Sequence, residues 1–243
     1  MFLPSDGSIA IRYDALLDRI SDHDAREIKQ AACKKGWCFF RVNHYTELPK
    51  IVHCFSKSQS KDLCEKSISE LLVKSKGEAK RHSLSAVFGR GRFPFHTDGA
   101  HLKKPPRFIL LHARIADETI RPTIFKPFYF DRLSTDLVEQ MQSMIWTVSD
   151  GFHYFYSPVL NVIEREKSYF IRLDPVCMKP PMGKEGKMIL KNLSIFLRST
   201  PSYSVVWQDN SYLLLHNWQA VHARGSATRE TRMARVLHRY SIF

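Results

Sequence analysis

Phe95-His96-Thr97-Asp98-Gly99-Ala100-His101 is the stretch that decides the fold. His96 and Asp98 have one residue between them. Side chains so spaced diverge on a helix but share a face of a strand, where the period is two. The spacing therefore predicts a strand with His96 and Asp98 aimed inward and Thr97 facing the other way. Far downstream, Ala220-Val221-His222-Ala223-Arg224-Gly225 supplies a second histidine between a strand and a turn, and Arg235 and Arg239 follow four apart in a terminal β-type run. In a closed β-architecture, strands remote in sequence become neighbours. His96, Asp98 and His222 would then form a face of two nitrogens and one carboxylate. That set, with its remaining positions open, suits non-haem Fe(II) binding a co-substrate and dioxygen.

Other histidines compete for the role. His101, His112, His216 and His238 are the rivals; His112 and His216 sit in apolar runs and read as core or supporting groups. His101 is close enough to the motif to touch a substrate. The simpler alternative, polar residues at strand ends bonded to backbone, explains each residue singly but not their coincidence with the Arg235–Arg239 spacing.

The rest of the chain fits a β-rich enzyme core. Residues 108–112, 152–157, 169–173, 204–207, 212–216 and 234–240 are short β-type runs, many separated by turn residues, as in a sandwich or barrel. One helix interrupts them, with Leu133, Leu137, Met141 and Ile145 four apart and Ser134 near its start. Before the motif, Ser21 to Asp24 resembles a capping box, Ala25, Ile28 and Ala32 follow at helical spacing, and Gly36 marks the stop. Trp37–Val42 reads as a strand and the apolar stripe of 63–72 as a helix. The basic, glycine-broken stretch 74–94 reads as a lid loop. The expected fold is mainly β with flanking helices (α+β). Its core would be a cupin-like distorted jelly roll, or double-stranded β-helix, with an N-terminal helical region. One domain over 1–243 is the economical division: 1–94 as helical support, early strand and lid, and 95–243 as the jelly-roll core.

Composition bounds the class. A hydrophobic fraction of 44% with 16 phenylalanines excludes a disordered chain. No apolar run approaches the roughly 18–20 residues of a membrane span, and the start shows no basic leader or apolar stretch of a secretory signal. Five cysteines without a Cys-x-x-Cys pair read as reduced thiols of a cytoplasmic protein. The net charge of +13 favours anionic partners: nucleic acid, an acidic carrier protein or a carboxylate substrate. The lysines are scattered, so a solvated basic surface is the simpler account.

These blocks resemble the Fe(II)/2-oxoglutarate-dependent oxygenases, in particular the taurine dioxygenase and clavaminate synthase-like branch. The resemblance rests on Phe-His-Thr-Asp-Gly-Ala-His at 95–101, Pro-Pro-Arg-Phe-Ile-Leu-Leu-His-Ala at 105–113, Asn-Trp-Gln-Ala-Val-His-Ala-Arg-Gly at 217–225, and Arg-Val-Leu-His-Arg at 235–239. The Trp37–Val42 run also looks like the family's early strand. The resemblance implies that His96, Asp98 and His222 hold iron and that Arg235 binds the distal carboxylate of 2-oxoglutarate. Thr123 would assist there, although the glycines that commonly precede this position are missing, and Arg239 would buttress the cofactor or the substrate carboxylate. It further implies hydroxylation of an unactivated C–H bond, with O2 as second co-substrate and release of succinate and CO2. Asp98 stands where related halogenases have a small residue, which favours hydroxylation, desaturation or cyclisation.

The substrate expected is a small polar metabolite, carboxylate-bearing or a free or carrier-bound amino acid. The lid carries Lys74, Lys76, Lys80, Arg81, Arg90 and Arg92, which would favour a carboxylate if it covers the pocket; Arg172 and Asp174, as contacts for two charged ends, and His101 are the candidate substrate residues. A surface ion pair is the competing reading of Arg172 and Asp174. Two other functions are carried forward: a nucleic-acid-directed oxidative demethylase, motivated by the charge, and a non-catalytic jelly-roll sensor.

Overall fold

Alternation along each strand sorts the core into layers. The computed structural model describes residues 8–11, 13–43, 68–115, 121–166, 168–226 and 236–243. In chain order the strands are β1 (Ile9–Ile11), β2 (Ala15–Leu17), β3 (Trp37–Val42), β4 (Ile68–Leu71), β5 (Phe108–Ile115), β6 (Thr123–Pro127), β7 (Ile145–Ser149), β8 (Tyr154–Pro158), β9 (Leu160–Ile163), β10 (Ser168–Ile171), β11 (Met178–Lys179), β12 (Tyr203–Val205), β13 (Ser211–His216), β14 (Ala220–Arg224) and β15 (Val236–Ile242). The helices are α1 (Asp22–Lys35), α2 (Leu84–Phe88), α3 (Thr135–Ser143) and α4 (Lys184–Ser199).

A six-stranded sheet, β2-β3-β13-β5-β15-β4, lies against a four-stranded sheet, β1-β12-β6-β14. Trp37, Phe39, Ile109, Leu111 and Leu237 from the first pack with Phe125 and Val205 from the second. The alternate residues Cys38, Phe40, Phe108, Leu110 and Leu214 face outward from that layer and are covered by Ala25, Ile28 and Ala32 of α1. Each large side chain so buried contributes about 1.5–3 kcal/mol. On the far side of the four-stranded sheet, Ile124, Val221 and Ala223 join α3, α4 and the smaller sheets β11-β7-β8 and β10-β9.

The expected mainly β architecture with flanking helices is what the chain adopts. α1 begins at a true capping box, Ser21 with Asp24, and ends on Gly36 in the left-handed conformation. Three local expectations need correction. Ile68–Leu71, inside the run read as a helix, is strand β4: it pairs with β15, Ser69 opposite Arg239. Residues 63–67 lie outside the described residues. Completing a sheet edge supplies hydrogen bonds that a four-residue helical preference cannot match, and Leu71 packs onto the inter-sheet core. The 74–94 stretch contains the short helix α2, capped by Ser83. The longest helix among the described residues, α4, was not expected, although Ile189, Leu193 and Leu197 carry its buried stripe. Its C-terminal end is held by buried Lys126, whose ammonium donates to the carbonyls of Leu197 and Thr200.

Candidate metal centre and its cavity

The two motif blocks meet as backbone before they meet as side chains. His96 and His222 form an isolated antiparallel bridge, each donating its N–H to the other's carbonyl at 2.9 Å. Their rings lie 4.3 Å apart. His96 Nδ1 sits 3.0 Å from the Pro94 carbonyl. Donation there leaves the lone pair on Nε2, the nitrogen turned toward Asp98. His96 Nε2 and His222 Nε2 approach opposite oxygens of Asp98, each at 3.8 Å. One donor atom from each of the three residues lies within 4.8 Å of the others, and all three are buried.

Asp98 reaches this point differently from the strand geometry expected. Only His96 is in bridge conformation, and Asp98 opens a turn. Its N–H donates to Asn217 Oδ1 at 2.9 Å, while Asn217 Nδ2 donates to the carbonyls of Asp98 (3.0 Å) and Pro106 (2.8 Å). Gly99 follows at φ 69°, where a Cβ would come within 2.7 Å of Pro106. The close turn thus needs glycine. Thr97 is tied to Leu173, whose N–H donates to Thr97 Oγ1 at 3.0 Å.

Charge at the centre is set by its neighbours. Burial disfavours an ionised Asp98, but Arg239, His222 and His96 outweigh it and hold the carboxyl down at about 2. Arg239 Nη1 donates to Asp98 Oδ1 at 3.0 Å and its Nε to Ser69 Oγ at 3.1 Å. An anionic carboxylate between two imidazoles is the donor set of the two-histidine, one-carboxylate iron sites, so these residues fit a divalent iron ion.

The centre opens into a cavity of about 510 Å³, within the range of small-molecule sites. Thr123, on the inner face of β6, lines it and accepts from the Trp207 indole at 3.1 Å. Its own O–H is therefore directed elsewhere as a donor. Arg239 also lines it, as do His101 and Asp174. Arg235 lies outside the described residues.

Arg172 is a correction. It is fully buried and absent from the cavity wall. Its guanidinium donates to the carbonyls of Ala100, Leu102 and Lys103 and to Ser157 Oγ, and lies over Phe155 and Phe170. Both Nη groups serve the loop that follows the metal motif and Nε serves Ser157 of β8, so the guanidinium is turned to structural acceptors and away from the cavity. Asp174 Oδ1 accepts from Val176 and Cys177 N–H and shapes its own turn. His112 is buried against Tyr212, and His216 accepts from Arg107 Nε at 3.4 Å, so both support the core as expected.

Sequence reasoning missed Asn217, Arg224 and Asp150. Nothing local marks an asparagine as the clasp of an aspartate so far away in the chain. Asp150 lines the cavity from the β7–β8 turn, and residues 80–85 line it from the lid. His82 sits against Gly151 of that turn, where a Cβ would meet its ring at 2.3 Å.

No protein-family model matches the chain, and no curated protein matches it in sequence. Solved structures do. An asparagine oxygenase bound to Fe(II), 3-hydroxyasparagine and succinate superposes with a TM-score of 0.68 at 15% identity, covering 91% of this chain and 78% of its own. AAD-2, bound to Mn(II) and N-oxalylglycine, gives 0.67 at 17%, covering 92% and 88%. The non-haem iron oxygenase OrfP, bound to Fe and α-ketoglutaric acid, gives 0.65 at 15%, covering 91% and 78%. The chain therefore has the jelly-roll fold that these oxygenases share.

Proposed function

We propose that this protein is an Fe(II)/2-oxoglutarate-dependent dioxygenase that hydroxylates a C–H bond of a free or carrier-bound amino acid or a similar small polar metabolite. The convergence of His96, Asp98 and His222 on one cavity carries this reading. Iron with 2-oxoglutarate and O2 supplies the oxidising power when bound, with succinate and CO2 as co-products. The protein supplies the rest. His96, Asp98 and His222 hold the metal, and Asn217 keeps Asp98 in place. Thr123 and Arg235 take the distal carboxylate of 2-oxoglutarate, a planar guanidinium being suited to that group. Arg239 steadies Asp98 and presents charge to the cavity. Residues 80–85 exclude water from above.

An amino-acid-like substrate is supported by charges of both signs on the cavity wall. Asp150 and Asp174 offer carboxylates to an amine, and Lys80 and Arg81 offer cations to a carboxylate. His101 stands beside them. The solved relatives bound to hydroxyasparagine and to hydroxylated arginine support the same class. We read 1–243 as one catalytic unit. Among the described residues no helix is long and apolar enough to cross a membrane. The free thiols Cys33, Cys38 and Cys177 support a reducing compartment, the cytoplasm.

The test is a screen of amino acids with Fe(II) and 2-oxoglutarate, following succinate and a product heavier by one oxygen. Succinate release that needs both iron and substrate is the expected result. Salt-sensitive binding of single-stranded nucleic acid with oxidation of its bases, and none of the amino acids, would overturn it.

A further inference from the structure

We propose that Arg224 is a positioning residue that latches the lid to the metal-bearing strand and so sets substrate capture and the coupling of 2-oxoglutarate consumption to substrate oxidation. This rests on the oxygenase reading for its kinetic consequences, but not for its physical ones.

Arg224 lies two residues beyond His222 on β14, on the same face. Its guanidinium does not go to an acid. Nε donates to the Gly91 carbonyl at 2.9 Å, and Nη2 donates to the carbonyls of Gly89 at 2.5 Å and Gly91 at 2.6 Å. The Phe93 ring covers the guanidinium at 3.6 Å, and Phe93 N–H donates back to the Arg224 carbonyl at 3.0 Å. The acceptors are carbonyls just past the last turn of α2, where backbone oxygens lack helical partners. The other end of α2, Ser83 to Ser85, is cavity wall, and Arg224 itself lines the same cavity. One side chain therefore joins the strand of one metal ligand, the segment that runs into the other at His96, and the roof over the substrate.

The chemistry requires arginine. Three acceptor contacts and a stacked ring need a planar fork of donors, and a lysine ammonium offers one compact charge that cannot reproduce them. Burial lowers the Arg224 pKa to about 10, and nearby Arg121 adds to this, yet the group remains a cation near neutrality. Removing it frees the α2 end of the lid while leaving Asn217, His96 and His222 untouched. Water would then reach the cavity during turnover, and 2-oxoglutarate and O2 would yield succinate and CO2 without product, the second oxygen atom being reduced to water by a two-electron reductant such as ascorbate added to the assay.

The experiment compares wild type with Arg224→Met, Arg224→Lys and Phe93→Leu. Backbone amide exchange, read by mass spectrometry on the metal-free chain, should accelerate at least tenfold in residues 84–93 and stay unchanged in β5 and β13. With substrate, KM should rise at least tenfold in Arg224→Met, and succinate formed per product should rise in step. Arg224→Lys should rescue neither, and Phe93→Leu should give a smaller effect in the same direction. Fe(II) affinity should stay within twofold in Arg224→Met and Arg224→Lys; Phe93→Leu is judged by exchange, because its ring also meets the His96 ring edge-on at 6.3 Å. Unchanged exchange in 84–93, or loosening spread evenly over β5 and β13 with loss of iron binding, would overturn the latch. If Arg224→Met does not fold, Phe93→Leu decides by the same exchange measurement. Failure of iron or 2-oxoglutarate to bind the wild type would instead remove the oxygenase reading and leave the exchange result standing.

Discussion

Replacing Arg172 with methionine separates a structural arginine from a substrate-binding one. The substitution keeps bulk between Phe155 and Phe170 but removes four hydrogen bonds: to the carbonyls of Ala100, Leu102 and Lys103 and to Ser157. A hydrogen bond from a charged group is worth about 1.5–3 kcal/mol, and a stranded buried acceptor costs about 1–3 kcal/mol. Against this stands relief from burying a cation, so the terms do not simply add. With about two of the four acceptors left stranded at that cost, and less for those that relax toward one another, a loss of about 3–5 kcal/mol is expected. For a chain of this length that corresponds to a Tm lowered by roughly 6–20 °C. Urea unfolding of the metal-free protein gives the free energy and a thermal scan the shift. Because the freed loop begins just after Asp98, iron affinity should fall as well. Stability within about 0.5 kcal/mol of wild type, together with a raised KM and intact iron binding, would refute the reasoning and return Arg172 to the substrate.

Asn217→Ala removes the clasp on Asp98 and leaves its buried N–H without that partner. It should cost about 1–3 kcal/mol and weaken Fe(II) binding about 10–100-fold; an iron titration with unchanged affinity would contradict it. Burial, with Arg107 adding to it, lowers the His216 pKa to about 4, so the unfolded chain takes up this proton first as pH falls. Stability from this group is complete above the unfolded pKa of about 6.5. It should decline by up to about 3 kcal/mol as pH falls to 4, and His216→Gln should flatten that slope in pH-dependent urea melts. Gly151→Ala places a Cβ against the His82 ring at a positive φ, a strain of about 1–3 kcal/mol. It should displace the lid and raise KM with iron affinity unchanged, whereas wild-type KM would contradict the packing.

The sequence reveals most where chemistry and periodicity coincide. His96, Asp98 and His222 could be grouped because metal-ligand types are scarce, although Asp98 reaches the group from a turn rather than from the strand face expected. α1 could be bounded because Ser21, Asp24 and Gly36 act on backbone a few residues away. Partners that depend on the tertiary path could not be read. Arg172 looks like a strand-end charge until the loop 99–104 folds over it. Asn217 is an ordinary turn residue until Asp98 arrives. The segment 68–71 carries a helix-like apolar pattern, and only the exposed edge of β15 makes it a strand. Local signals fix local structure, but here the groups that tune the site are held by contacts across the chain.

The central claim is that two imidazoles and one carboxylate bind a single ferrous ion which then accepts 2-oxoglutarate. Anaerobic titration of the protein with Fe(II) and 2-oxoglutarate, followed by visible absorption, tests it directly. The account predicts one iron per chain and a charge-transfer band that appears only with both additions and is lost in His96→Ala and His222→Ala. An equal band in either variant, or no iron bound by the wild type, would contradict it.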